Sequence, residues 1–381
     1  MPKIANIIED ARLGGPQVRI AEVAKRLKGN EYETTVIIPK KDNKRFKTRL
    51  EEYGVKYKEL SLHRLTKEPK HLILFVLLFF YELFVLYRYL KKENFDVLHV
   101  SGGSWQWKGV LAGKLARCKV LWHLNDTKMP SYIKLFFKPL AKCCVDGFIV
   151  AGSRVKSYYL DELKINKEII HEIQAPVDCE VFDPQKVQSD PKMDSYDGLK
   201  VVTVANVNPV KGLETFIRMV NEINKQAAQK VSFVIVGSIN NNQKSYYDYL
   251  NSLKEKYNIE NLYFYGVSND VKSILKSTDI YVCSSIAEAS PVSLWEAMAM
   301  KKAVVSTDVG DVSRFISDGK NGYIVNVGDY EQLANQIGVL IENINIRERY
   351  GKEARKVVRN NLDISTVAEQ HQVTYKEAEK V

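Results

Sequence analysis

Cysteine is scarce in this sequence. There are five in 381 residues (Cys118, Cys143, Cys144, Cys179 and Cys283) and no Cys-x-x-Cys pair. An odd, scattered set excludes a disulfide framework and a cysteine zinc site, and it suits a reducing cytosol. No Asp-x-Asp pair occurs, so nothing in the sequence calls for a magnesium or manganese clamp. Met1 to Asp10 lacks the basic-then-apolar profile of a signal peptide and reads as a strand. Low-complexity runs are missing, as are the dinucleotide fingerprint and the Walker A pattern.

Apolar residues make up 45% of the chain and charged residues 27%, the balance of a folded soluble protein. At about 100–200 residues per domain, the length predicts two domains. The net charge of +10 is uneven. Residues 1–190 hold 33 Lys+Arg against 23 Asp+Glu, and residues 191–381 hold 23 against 23. The first half therefore carries the whole excess and is expected to face something anionic. No nucleic-acid motif accompanies the charge, so a membrane surface, a phosphorylated substrate or a plain basic surface is left.

Short β-rich runs alternate with helical spacing from end to end. The predicted strands of the first half are Lys3–Ile8, Thr34–Pro39, Phe95–Val100, Cys118–Leu124 and Gly147–Ala151. In the second half they are Lys200–Val207, Val231–Gly237, Leu262–Tyr265, Asp279–Ser284, Ala303–Thr307 and Tyr323–Val327. Leu213, Phe216, Ile217, Val220 and Ile223 recur at the offsets of one helix face. Repeated βα units predict an α/β protein with parallel sheets covered on both sides. Asp183 to Gly198, with Pro184 and Pro191 among polar residues, reads as the linker. The expected domains are 1–185 and 196–361, each Rossmann-like, with 362–381 as a helical tail.

Leu72 to Tyr87 stands apart, since its only charge is Glu82 and His71, Arg88, Lys91 and Lys92 flank it. It is short for a spanning helix. Two placements remain open: packed on the first sheet, or lying in a membrane interface with basic ends on headgroups.

In an open parallel sheet, ligands bind beyond the carboxyl ends of the strands. Four loops there carry unusual residues. Gly14-Gly15-Pro16 would let backbone N–H groups and a helix N-terminus approach a phosphate. His123, ending its strand, could hydrogen-bond a sugar or phosphate, or could be a satisfied structural histidine. Lys211-Gly212 offers a point charge for phosphate, though surface lysines are common. In the fourth loop, Ser284 to Pro291, Glu288 lies in the turn and Glu296 about a turn into the following helix. Two carboxylates at one strand end can accept from the paired hydroxyls of a sugar or ribose.

Glu288 and Glu296, with Ala297-Met298-Ala299 after them, resemble the paired-glutamate motif of family-4 glycosyltransferases with the GT-B fold. Ala303–Gly310 and Asp318–Val325 are similar to the same family's next signature. Val177-Asp178 with Phe182 and Pro184 resembles its interdomain turn, and Gly14-Gly15-Pro16-Gln17 its opening loop.

The resemblance implies two Rossmann-like domains facing across a cleft, with a C-terminal helix crossing back to the first. It implies a retaining, metal-independent hexosyl transfer from a UDP- or GDP-sugar, with no cofactor required, in cell-surface glycan synthesis. The implied acceptor is a glycan or a lipid-linked glycan, reached in the cytoplasm or at the inner membrane face. By position, Glu288 would hold a donor sugar hydroxyl and Glu296 the ribose hydroxyls. Lys211 and the Gly14-Gly15 backbone would steady the diphosphate. Asn206 and the N–H groups of Ala289, Ser290 and Val292 would touch the donor, and His123 the reacting sugar.

One departure stands out. Relatives place an arginine ahead of that lysine, whereas Ala205 to Gly212 has none. Arg12, Arg19 and Arg154 are the candidate substitutes. Without one, the alternative is a non-catalytic donor-binding subunit. A GT-B sugar-nucleotide epimerase is a further alternative, against which the paired glutamates speak.

Overall fold

A run such as Val231–Val236, apolar at all but one position, is satisfied only by burial on both faces. In the computed structural model, which describes residues 1–29, 32–65, 69–126, 129–161, 163–225, 229–240 and 243–380, such runs form the middle of two parallel sheets. The first sheet contains β1 (Lys3–Ile8), β2 (Glu33–Pro39), β3 (Lys56–Leu60), β4 (Val97–Ser101), β5 (Lys119–Leu124), β6 (Gly147–Val150) and β7 (Ile170–Glu172). Its order is β3-β2-β1-β4-β5-β6-β7. The second contains β8 (Leu199–Val204), β9 (Val231–Val236), β10 (Leu262–Gly266), β11 (Ile280–Cys283), β12 (Ala303–Thr307) and β13 (Tyr323–Val325), in the order β10-β9-β8-β11-β12-β13. Each is a doubly wound Rossmann-like sheet.

The chain divides into two units, Met1–Pro176 with Ile364–Val381, and Val177–Asp363. This moves the expected boundary. Asp183 to Gly198 belongs to the second unit and is held there. Met193 is fully buried, and Arg355, on a late helix of that unit, donates to Phe182 O at 2.8 Å and pairs with Asp183 at 3.5 Å. Entry and exit lie side by side, since Val177 N donates to Leu362 O at 2.8 Å.

The first unit is incomplete without the end of the chain. α1 (Gly15–Leu27) packs on one face of its sheet. The C-terminal helix, Ile364–Lys380, lies beside it and buries Ile364, Val367, Ala368 and Tyr375 against Ile4, Val23, Leu27 and Leu121. On the other face lie α2 (Pro69–Glu93), α3 (Trp107–Ala116) and α4 (Ser131–Cys144).

α2 packs one side on the first unit and leaves the other exposed. Phe75, Glu82, Leu86 and Leu90 are buried, while Ile73, Val76, Leu77, Phe80, Tyr81 and Phe84 are exposed along the opposite side. The side chain of His71 lies outside the described ones. The helix is pinned by a buried charge. Glu82 meets Lys108 Nζ at 2.6 Å and His63 Nδ1 at 2.5 Å.

Candidate functional site

In the second unit, the loop after β8 and the loop after β11 are stitched together at the strands' carboxyl ends. Asn208 caps a short turn at Pro209–Lys211, and Gly212 then opens α5 (Leu213–Asn224). Gly212 has φ +61°, and a Cβ there would sit 1.9 Å from Ser284 O, so only glycine lets the two loops touch. Ser284 Oγ donates to Lys211 O at 3.1 Å and Ile286 N to Val210 O at 2.8 Å.

That seam brings two of the sequence-predicted residues together. Lys211 Nζ lies 2.5 Å from Glu288 Oε1, which also accepts from Ser285 Oγ at 2.9 Å. Ser285 is anchored in turn by Thr307 Oγ1, which donates to its carbonyl at 2.6 Å. Behind the turn, Gly310 has φ +53°, and a Cβ there would be 2.9 Å from Ala289 O. Ser290 is held by Trp295 Nε1 at 3.0 Å. Glu296 is half-buried on α6 (Val292–Ala299), on the same strand-end loop unit as Glu288.

Asn206, exposed after β8, accepts from Ser238 N and Oγ at 3.1 and 2.8 Å, which orients its amide so that the NH₂ remains to donate. The amides of Ala289 and Ser290 make no hydrogen bond among the described residues. Val292 differs from expectation. Its N–H is already given to Ser290 O at 3.0 Å, closing the turn before α6, so it is committed within the protein.

In the first unit, Gly14 and Gly15 are exposed at the start of α1, where Gly14 is the N-cap without a side-chain bond. Neither needs glycine's conformational freedom, and a Cβ on Gly15 would meet nothing within 4 Å. The open space is above the helix end.

His123 is a different kind of residue from the loop groups, because it is buried. Arg19 Nη1 lies 2.9 Å from its Nδ1, and Arg19 Nη2 donates to Ser101 Oγ at 3.1 Å. Arg19 is thus built into the interior and is no substitute for the phosphate arginine. Arg12 is exposed and paired with Asp10 at 2.8 Å, and Arg154 is exposed. His99 Nε2 lies 3.2 Å from His123 Nδ1, and Tyr375 Oη lies 2.9 Å from His99 Nδ1. His371 lies near both histidine rings and holds Val367 O through its own Nδ1 at 2.8 Å. His99, His371 and Tyr375 escape a sequence reading, because β4 and the C-terminal helix are far apart along the chain. The pairing of His99 with Tyr375 spans 276 positions.

Burial, helped by the Arg19 charge, pushes the pKa of His99 and His123 well below the ordinary imidazole value, and that of His371 down to about 3. Burial also lowers Arg19, to about 10, so it stays charged at neutral pH. The three histidines each offer a ring nitrogen, and these atoms lie within 4.8 Å of one another. They nevertheless fit a divalent cation poorly. A guanidinium donates into His123, which keeps the proton on its other nitrogen, and among the described residues no carboxylate joins the set.

The chain matches two family descriptions: "Glycosyltransferase Family 4" over residues 13–181 and "Glycosyl transferases group 1" over residues 188–357. It is 26% identical over 297 residues to an Escherichia coli UDP-Gal:alpha-D-GlcNAc-diphosphoundecaprenol alpha-1,3-galactosyltransferase, covering 73% of this chain and 74% of that one. It is 23% identical over 351 residues to a Campylobacter jejuni N,N'-diacetylbacillosaminyl-diphospho-undecaprenol alpha-1,3-N-acetylgalactosaminyltransferase, covering 87% and 88%. Among solved structures, Anabaena HepE in complex with UDP-glucose superposes with a TM-score of 0.82 at 18% identity, over 98% of this chain and 99% of that one.

Proposed function

The chain belongs to the family-4 glycosyltransferases of GT-B fold, and from that premise we propose a retaining, metal-independent transfer of a hexose-type sugar from a UDP- or GDP-sugar to a lipid-linked glycan. The observation that carries this reading is the Lys211–Glu288 pair, 2.5 Å apart at the mouths of β8 and β11. In the free protein each group neutralises the other, so neither stands as an unpaired, part-buried charge. A nucleoside diphosphate sugar offers both a better partner. Its diphosphate takes Lys211, and a sugar hydroxyl takes Glu288.

As the sugar–phosphate bond breaks, negative charge grows on the departing diphosphate. Lys211, the N–H groups of Ala289 and Ser290 and the positive end of α6 would stabilise it. Gly15 and Gly14, open above α1, would add backbone donors. Glu296 would take the ribose hydroxyls and Asn206 the donor's polar edge. His123, kept neutral by burial, would donate from Nε2 to a sugar hydroxyl and would not act as the base.

The relatives that act on diphosphoundecaprenol-linked sugars support the acceptor class. The exposed apolar side of α2 supports peripheral contact with an anionic inner membrane face. A thermal-shift series with UDP- and GDP-sugars tests the donor, since a ligand of the folded form alone raises Tm. Calorimetry on Glu296→Ala tests its assignment. A folded variant with unchanged donor affinity would overturn it.

A further inference from the structure

Inside the first unit, Arg19, Ser101, Asn6, His99 and His123 close a circuit of hydrogen bonds, and Tyr375 joins it at His99. All six side chains are buried. Asn6 comes from β1, His99 and Ser101 from β4, His123 from β5, Arg19 from α1 and Tyr375 from the C-terminal helix. Strand pairing sets Asn6 directly beside His99.

Arg19 enters the circuit twice, through Nη1 at 2.9 Å from His123 Nδ1 and through Nη2 at 3.1 Å from Ser101 Oγ. A guanidinium only donates, so the remaining protons are placed by elimination. Burial holds the pKa of both imidazoles well below the ordinary value, which leaves each with one ring proton at neutral pH. His123 Nδ1 carries a lone pair, because Arg19 points a proton at it. His99 Nε2 lies 3.2 Å from that lone pair and is therefore the protonated nitrogen of its own ring. This makes His99 Nδ1 an acceptor.

Tyr375 Oη lies 2.9 Å and Asn6 Nδ2 3.3 Å from that acceptor. Asn6 turns its amide nitrogen to His99 and its Oδ1 to Ser101, whose Oγ donates to it at 2.9 Å. The same hydroxyl oxygen accepts from Arg19 Nη2, so the circuit closes with each donor facing an acceptor.

Tyr375 is the shorter-range donor to His99, and burial raises its pKa, which keeps it a phenol. Without its hydroxyl, His99 Nδ1 keeps only Asn6, beyond the usual range for such a bond. The tautomer with the proton on Nδ1 then gains, and it sets a lone pair of His99 against the lone pair of His123.

We propose that Tyr375 is a positioning residue for His123, acting through His99 to hold the His123 proton on Nε2. The use of that proton on a sugar rests on the glycosyltransferase reading. The relay goes beyond it, because it gives the last helix of the chain a part in the chemistry as well as in the core.

The test uses the full chain with isotope-labelled histidine, and reads the two nitrogen shifts of each ring alongside turnover. In the wild type, His99 and His123 both show the Nε2–H pattern. Tyr375→Phe keeps the aromatic ring that packs edge-on against Tyr32 and removes only the hydroxyl. It moves the His99 shifts towards the Nδ1–H pattern and lowers kcat about two- to tenfold, with KM for the nucleotide sugar unchanged. His99→Gln, whose amide can donate as Nε2 does, stays within about twofold of wild-type kcat, whereas His99→Leu loses about tenfold. Circular dichroism confirms that the variants fold.

A Tyr375→Phe protein with a lower Tm but unmoved shifts and kcat makes the tyrosine structural and overturns the proposal. So does an Nδ1–H form of His123 in the wild type, or His99→Gln no more active than His99→Leu. The expected shifts and their response to Tyr375→Phe, in a protein that transfers sugar from no nucleotide sugar tested, support the relay and remove the transferase reading.

Discussion

Arg19 Nη1 lies 2.9 Å from His123 Nδ1. A guanidinium has no acceptor, so Nδ1 must be the lone-pair nitrogen and the proton of the neutral ring must sit on Nε2. Arg19 therefore sets what His123 would offer a substrate in the proposed role, although it is itself buried.

Nitrogen chemical shifts of His123 should accordingly report the Nε2–H form in the native protein. Arg19→Leu removes the donor that selects it. A hydrogen bond to a charged group contributes about 1.5–3 kcal/mol, so kcat should fall about ten- to hundredfold. KM for the nucleotide sugar should change little, because Lys211 and Glu288 are in the other unit. Equal loss in donor affinity would deny Arg19 this positioning role.

Acid should unfold the first unit by charging its buried imidazoles. His99, His123 and His371 have native pKa values below their unfolded value near 6.5, with Arg19 and Tyr375 as the ionisable groups packed on them. The unfolded chain thus binds more protons than the native one below about pH 6.5. Stability is full above that pH and declines as pH falls, by up to about 1.4 kcal/mol per pH unit for each histidine. For His371 the decline should end near pH 3. Denaturant melts between pH 7 and 4 measure the slope, and His371→Gln should make it shallower by about a third.

Lys211→Ala and Glu288→Gln should separate activity from stability. The pair is near the surface and contributes under about 1 kcal/mol to folding. Under the proposed role at the leaving diphosphate, loss of Lys211 should cost about 10²–10³ in kcat. Tm and single-turnover rates read the two effects. A large Tm drop with normal turnover would make the pair structural.

Gly212→Ala and Gly15→Ala should behave in opposite ways. At Gly212 the new methyl meets Ser284 O in a left-handed backbone, and the variant should lose about 2 kcal/mol or more along with donor binding. At Gly15 the methyl meets no protein atom. Its melt should be native while phosphate affinity falls. Native affinity would remove this loop from the donor site.

The second unit's candidate site was legible because its parts are local. Glu288, Ser290 and Glu296 fall within one loop and helix, and Lys211, after the neighbouring strand, reaches Glu288. Central strands were legible for the same reason, because burial on both faces writes itself as an apolar run. Lys56–Leu60 and Ile170–Glu172 were not, being edge strands whose half-exposed, charged residues carry no such run. Asp183 to Gly198 looked like a tether because prolines and polar residues dominate it. Its attachment depends on Met193 and on Arg355, whose role only the tertiary fold supplies. The histidine cluster was beyond reach, since its members come from three distant elements and show no periodicity.

The return of Ile364–Lys380 to the first unit sets an order of events at the ribosome. The second unit, Val177–Asp363, is contiguous and can fold as it emerges. The first begins the chain yet waits for the last helix before His99 meets Tyr375 and its core closes. A premature stop near residue 363 would thus leave the second unit whole and expose the apolar floor of the unit synthesised first.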